Sequence, residues 1–230
     1  MKVFKDSQTM RAWSRQCRMA GKTIGFVPTM GALHEGHLSL MRAAAGDNNV
    51  AVASIFVNPI QFAPHEDLDR YPRMLERDLK LAESAGIQAV FAPSPEVMYP
   101  SDFSTWITVE RVSQGLCGAS RPHFFRGVAT VVAKLFHIVE PDRAYFGQKD
   151  AQQCAVIRRM VRDLDMPIEI VEMPIVREPD GLAMSSRNLY LSADERSRAL
   201  CLSRALFAAL RRMREGERDA TAITDQVRRD

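Results

Sequence analysis

An α/β fold built on a doubly wound parallel sheet is predicted by three observations. Short, continuously apolar runs alternate with segments of helical period along most of the chain. The most apolar run, V-A-V-A-S-I-F-V at residues 50–57, reads as a strand covered on both faces, as strands of a parallel sheet are. The polar signatures fall just past the runs, after Val27, Val57, Phe146 and Val176, at the carboxyl ends of strands where such sheets hold their ligands. The fold expected is therefore Rossmann-like, with a smaller C-terminal domain.

Residues 7–20 carry helical periodicity, with Ser7 or Thr9 as cap, and Gly21 ends them. Residues 23–27 are the first strand, and residues 38–45 the helix that follows its turn. Residues 50–57 are stopped by Asn58-Pro59; residues 68–85 read as a helix and 88–91 as a buried strand. Pro93, Pro95 and Pro100 mark irregular chain, followed by an edge strand at 106–109. Helix, strand and helix follow at 126–139, 143–146 and 150–164; a strand at 168–171 is extended by 173–176 past Pro174. Near Arg177 the character changes to a polar loop, E-P-D-G-L-A-M-S-S-R-N. Beyond Ser192, Ala199, Leu202, Leu206, Leu210 and Met213 form an apolar stripe at helical spacing, the first helix of a second domain. The organisation expected is a ligand-binding domain over residues 1–176 and a lid loop with a small domain over 177–230.

The 230 residues carry a net charge of +3, spread without a Lys/Arg run, which argues against nucleic acid as a partner. No stretch is long and apolar enough to span a membrane, and the start, M-K-V-F-K-D-S, has no signal-peptide core. Cys17, Cys117, Cys154 and Cys201 are scattered and form no C-x-x-C pair. Reduced, buried thiols in a cytoplasmic enzyme are the expectation.

The stretch P-T-M-G-A-L-H-E-G-H-L-S-L, residues 28–40, joins a buried strand to a helix through a glycine-bearing turn. Backbone N–H groups at a helix start have no intrahelical partner and favour an anion. His34 and His37, three apart, share one helical face and can donate to phosphate oxygens. A zinc pair needs H-E-x-x-H; H-E-G-H is one residue short, and Glu35 cannot play the usual base. Asn58 and Gln61, past the second strand, carry amides suited to hydroxyls and a carboxylate. Alone, they equally fit a turn-forming Asn and a solvated Gln. F-G-Q-K-D-A-Q-Q puts Lys149 and Asp150 at a helix start, a positive charge beside anion-ready amides; read alone, Asp150 caps the helix and Lys149 is a solvated charge. M-S-S-R-N, residues 184–188, supplies two hydroxyls and a guanidinium able to wrap a triphosphate, although such a loop by itself is commonly only a loop.

Together these strings resemble the pantothenate synthetase (pantoate–β-alanine ligase) family of the nucleotidyltransferase group, whose H-x-G-H element is shared with class I aminoacyl-tRNA synthetases. The likeness is closest over residues 22–191. It implies an ATP-dependent ligase joining pantoate to β-alanine through a pantoyl adenylate, with Mg²⁺, no nucleic acid, no membrane, and a homodimer. It implies ATP contacts from Met30, Gly31, Ala32, Leu33, His34, Glu35, Gly36 and His37, and from Gly147, Gln148, Lys149 and Asp150. Val176 and the loop Met184, Ser185, Ser186 and Arg187, similar to the mobile K-M-S-K-S loop, complete that set. His34, His37, Lys149 and Arg187 would be the catalytic groups, supplying charge at phosphorus, with His37 a candidate to pass a proton to the leaving group. Asn58, Gln61, Gln153 and Arg121 would hold pantoate, Gln61 also bordering β-alanine, and Asp78 would approach Mg²⁺. The family commonly reads R-P-G-H-F where this chain has R-P-H-F-F, so His123 and Phe124 replace its Gly-His pair; Arg77 replaces its acidic residue before Asp78. Family chains run some tens of residues further, so the C-terminal domain is expected to be incomplete here. Two rivals are nucleotidyl transfer to another acceptor and a non-catalytic nucleotide-binding protein.

Overall fold

The computed structural model describes residues 1–230, in two compact units, Met1–Pro174 and Ile175–Asp230. The first holds six parallel strands: β1 (Lys2–Phe4), β2 (Ile24–Thr29), β3 (Val50–Ile55), β4 (Ala89–Phe91), β5 (Arg143–Gly147) and β6 (Glu169–Met173). Their spatial order is β1-β4-β3-β2-β5-β6. The order runs outward from β2 in both directions, so β2 and β5 flank a topological switch point.

Strand composition follows from burial on both faces. In β2, Phe26 enters the core on one side and Val27 the core on the other, both fully buried. The Phe26 side is covered by α1 (Ser7–Met19), α6 (Phe124–Val139) and α7 (Ala151–Asp163), through Met10, Val128, Val132, Phe136, Ile157 and Met160. The Val27 side is covered by α2 (Glu35–Asp47) and α3 (Leu75–Ser84), through Leu40, Met41, Ala44 and Ala82. Two short helices, α4 (Pro95–Met98) and α5 (Cys117–Ser120), lie in the segment before α6.

Several expectations are corrected. Asp6, not Ser7 or Thr9, caps α1, its Oδ1 accepting from the Gln8 and Thr9 amides at 3.1 and 2.8 Å. β1 has no apolar run to announce it, because a three-residue edge strand is held by pairing with β4 alone. The helix expected from residue 68 begins at Leu75, since Pro72 lacks an amide donor and drives Tyr71 out of helical conformation. Residues 106–109 form no strand: the Ile107 amide donates to Thr130 Oγ1 at 3.0 Å, and the Trp106 ring lies 5.6 Å from Phe103 and 4.3 Å from the Arg126 guanidinium. β6 stops at Met173, before Pro174. All four cysteines are free, but only Cys154 is buried as expected; Cys17 and Cys117 are half-buried and Cys201 is exposed.

In the second unit α8 (Ala193–Arg214) is followed by α9 (Ala220–Arg229). Ser192 and Glu195 form a reciprocal cap at the start of α8, each side chain accepting from the other's backbone amide. Leu202, Leu206, Leu210 and Met213 are 40–69% exposed; the buried side carries Leu200, Ser203, Ala205 and Ala209. Small residues let the loop ahead of α8 approach that side, the Gly181 Cβ direction lying 3.4 Å from Ser203 Oγ.

Gly127, inside α6, is a packing requirement. A Cβ there would stand 2.6 Å from the Ile60 carbonyl oxygen and 2.9 Å from Gln61 Cα. Helix propensity favours Gly127→Ala by about 1 kcal/mol, whereas overpacking against backbone costs about 1–3 kcal/mol. Gly127→Ala is expected to lower unfolding stability by up to about 2 kcal/mol in a denaturant titration; a stabilised variant would contradict the close approach.

Candidate active site

The H-E-G-H turn is built by two residues in left-handed conformation, Gly31 (φ 82°) and Ala32 (φ 49°). They turn the Ala32 and Leu33 amides onto one buried carboxylate. Asp78 Oδ2 accepts from Ala32 and Oδ1 from Leu33, both at 2.8 Å, and Asp78 is 1% exposed. Gly31 leaves room for it: a Cβ there would lie 2.9 Å from Asp78 Oδ2. Both oxygens of Asp78 thus hold the turn. No group of three or more His, Cys, Asp or Glu side chains is arranged to hold a metal ion. The donor set does not fit a protein-held Mg²⁺.

At the start of α2 the two histidines cap the helix reciprocally. The Gly36 amide donates to His34 Nδ1 at 3.2 Å, and the His34 amide donates, at a long 3.4 Å, to His37 Nδ1. Each Nδ1 accepts, so each neutral ring carries its proton on Nε2. The rings lie 4.1 Å apart at 36°. Desolvation, then the nearby His34 and Lys149, pushes His37 down to about 3. Its surroundings in the protein thus favour the neutral imidazole, a donor through Nε2. Glu35 is paired with Arg42 on the exposed side of α2.

Across the switch point, β5 delivers Gly147, Gln148, Lys149 and Asp150. Lys149 is exposed, with Asp150 Oδ2 at 3.4 Å its weak carboxylate neighbour. Asp150 does not cap α7: it precedes α7 with φ −101° and ψ 57°, at the end of a 3₁₀ turn, and makes no side-chain cap bond. Gln153 lies in the first turn of α7, half-buried.

Past β3, Gln61 reaches the signature turn, Nε2 lying 3.1 Å from Met30 Sδ. Asn58, 1% exposed, accepts from the Tyr99 hydroxyl at 2.8 Å and donates to Gln61 Oε1 at 2.9 Å and the Gly127 carbonyl at 3.2 Å. Arg121 does not stand free for an anion. Its guanidinium forks onto Glu66, donates to the Gln61 carbonyl at 3.3 Å and lies 3.8 Å from the Phe124 ring. Hydrogen bonding from Arg121 holds Glu66 below its ordinary value. Phe124, where the family has histidine, thus serves as a platform for Arg121, while His123 is exposed. Tyr99, Glu66 and Gly127 were not singled out from sequence; a glycine inside an apolar helix was the one signal available.

Val176 and the residues Met184, Ser185, Ser186 and Arg187 lie in the second unit. There Arg177 and Ala183 form an antiparallel bridge, and the Asn188 amide donates to Glu178 Oε1 and to the Ala183 carbonyl, both at 3.1 Å. Ser185 caps a 3₁₀ turn, its Oγ accepting from the Arg187 amide at 3.3 Å; Ser186 is buried and Arg187 exposed.

Two outcomes are expected. Asp78→Asn places an NH₂ against a backbone N–H in a buried site, so it should cost about 3 kcal/mol in denaturant unfolding; an unchanged midpoint would refute the anchoring. His37 takes up a proton when unfolded near pH 6.5 but when folded only near 3. Stability therefore falls, through this residue, as pH drops across that window, and His37→Gln should make the acid limb of the stability curve shallower. An acid limb as steep as the wild type's would contradict it.

The comparisons agree with this geometry. The sequence model described as pantoate-beta-alanine ligase matches residues 2–230. Pantothenate synthetase of Thermotoga petrophila is 59% identical over 227 residues, 99% of this chain and 81% of that protein. The crystal structure of pantothenate synthetase from Thermus thermophilus superposes with TM-score 0.92 at 49% identity, covering 99% of this chain and 82% of that one. The pantoate-beta-alanine ligase of Francisella tularensis, in complex with beta-gamma ATP and beta-alanine, gives TM-score 0.86 at 33% identity, covering 99% and 85%. With strand order, signature turn and switch-point lysine all in place, the chain belongs to the pantoate–β-alanine ligase family.

Proposed function

We propose that this chain condenses pantoate with β-alanine at the expense of ATP, giving pantothenate, AMP and pyrophosphate. A pantoate carboxylate oxygen forms a bond to the α-phosphorus as the bond to the bridging pyrophosphate oxygen breaks. The β-alanine amine then attacks the acyl carbon, AMP leaves, and the amine proton passes to solvent. No protein nucleophile takes part, so catalysis rests on alignment and on charge at phosphorus. The observation that carries this reading is that the H-E-G-H turn follows β2 and Lys149 follows β5, so both stand past the carboxyl ends of the two neighbouring strands at the switch point.

The roles divide by chemistry. Amides at the start of α2 and the Nε2–H groups of His34 and His37 donate to the nucleotide without bringing charge; Lys149 brings the charge. A polyphosphate beside His37 would favour its charged form, so His37 stays the candidate to pass a proton to the leaving group. Met30, Gly31, Ala32, Leu33 and Gly36 shape the nucleotide side, with Gly147, Gln148 and Asp150 opposite; the family resemblance gives Val176 and the 184–187 loop, Arg187 as its phosphate ligand, to the same nucleotide. Gln61 and Gln153 hold pantoate, and Arg121 positions the Gln61 segment. Mg²⁺ accompanies ATP as its counter-ion. A homodimer and a cytoplasmic location belong to the same reading. No helix is long and apolar enough to cross a membrane.

The test is pyrophosphate release with ATP and pantoate, with and without β-alanine. Release should require pantoate, and AMP turnover should require β-alanine as well. Lys149→Ala and His37→Ala should each lose roughly 100-fold in kcat/KM, as loss of one donor at a developing charge does. ADP as product would overturn adenylate chemistry.

A further inference from the structure

The Gln61 amide is oriented by a group that cannot turn over. A backbone carbonyl only accepts, so the Asn58 atom 3.2 Å from the Gly127 oxygen is its nitrogen. The same nitrogen carries the second proton to Gln61 Oε1 at 2.9 Å. Gln61 then turns Nε2 toward the signature turn, where it donates one proton to Met30 Sδ at 3.1 Å and keeps the second for a ligand. The other end of Asn58 needs a donor, and the Tyr99 hydroxyl supplies it at 2.8 Å. Turning Asn58 over would set its carbonyl against the Gly127 carbonyl in a buried site, which is costly. The Tyr99 ring is held independently, 6.1 Å from Phe56 and 5.0 Å from Phe103, with Lys134 Nζ 5.7 Å from its centre. Burial pushes the Tyr99 phenol well above its ordinary value, so the donor keeps its proton.

We infer that Tyr99 is a positioning residue for the acid substrate. Through Asn58 it makes Gln61 present an N–H to the cleft, which selects an oxygen acceptor, hydroxyl or carboxylate, at that point of the substrate. The inference rests on the ligase reading for the identity of that acid, but the amide orientation stands on the geometry alone. Asn58 is thereby a link in the relay between Tyr99 and Gln61.

Tyr99→Phe removes the hydroxyl and keeps the ring. It should raise KM for pantoate about tenfold, the effect of one misdirected hydrogen bond, with KM for ATP within about twofold of wild type. In a Gln61→Ala background the same substitution should change pantoate KM by less than about twofold, because the group being aimed is gone. Independent, multiplying losses in the double variant would overturn the inference and leave Tyr99 a packing residue. A substrate-free readout is the Asn58 side-chain NH₂ resonance: slow proton exchange in wild type, faster exchange in Tyr99→Phe. Unchanged exchange would equally overturn it. Faster exchange in Tyr99→Phe, with no pantoate-dependent pyrophosphate release from wild type, would uphold the orientation and refute the ligase reading.

Discussion

The reversal of strand order at β2 and β5 is the constraint on which the rest depends. The chain leaves β2 to cover one face of the sheet with α2 and leaves β5 to cover the other with α7. The two connections diverge, so a crevice opens between them. One wall is a helix start whose amides and capping imidazoles are donors; the other carries a lysine. Neither wall would serve alone. An exposed lysine is a solvated charge, and a helix N-terminus is only a weak anion site. Their juxtaposition follows from the pairing of β2 with β5, which sets the two loops side by side.

The buried groups around this crevice divide the work of holding it. Asp78 fixes the left-handed turn by accepting two amides, and so spends its charge on geometry rather than on a cation. Glu66 does the same for Arg121, and Arg121 in turn holds the Gln61 carbonyl. Acidic and basic residues that look like ligands in a linear reading are paired with the scaffold. In the first unit, the donors proposed to face a substrate are neutral, apart from Lys149. A site of neutral, pre-aimed donors needs little reorganisation as charge builds on phosphorus.

Much of this was legible in the sequence, and what was not has physical causes. The apolar runs gave β2 to β6 because burial on both faces leaves a compositional trace, whereas β1 is an edge pairing with none. P-T-M-G-A-L-H-E-G-H and Q-K-D could be read because chemistry and local structure coincide there. The contacts of Asp78 with the Ala32 and Leu33 amides could not be read, since those partners lie far away in the chain. The direction of the Gln61 amide depends on Tyr99 and Gly127, each from a different element, and no spacing rule connects them. The apolar stripe of α8 was recognised correctly as a stripe, yet the face that packs is the one bearing Ser203, Ala205 and Ala209. Amphipathicity identifies a face; close approach of a neighbouring loop decides which side is covered.

The central claim is that the switch-point crevice aligns a pantoate carboxylate oxygen with the α-phosphorus of ATP. Turnover of carboxyl-¹⁸O pantoate with ATP and β-alanine tests this most directly, by mass analysis of the nucleotide product. The account predicts one ¹⁸O in each AMP and none in pyrophosphate; label in pyrophosphate, or unlabelled AMP, would contradict it.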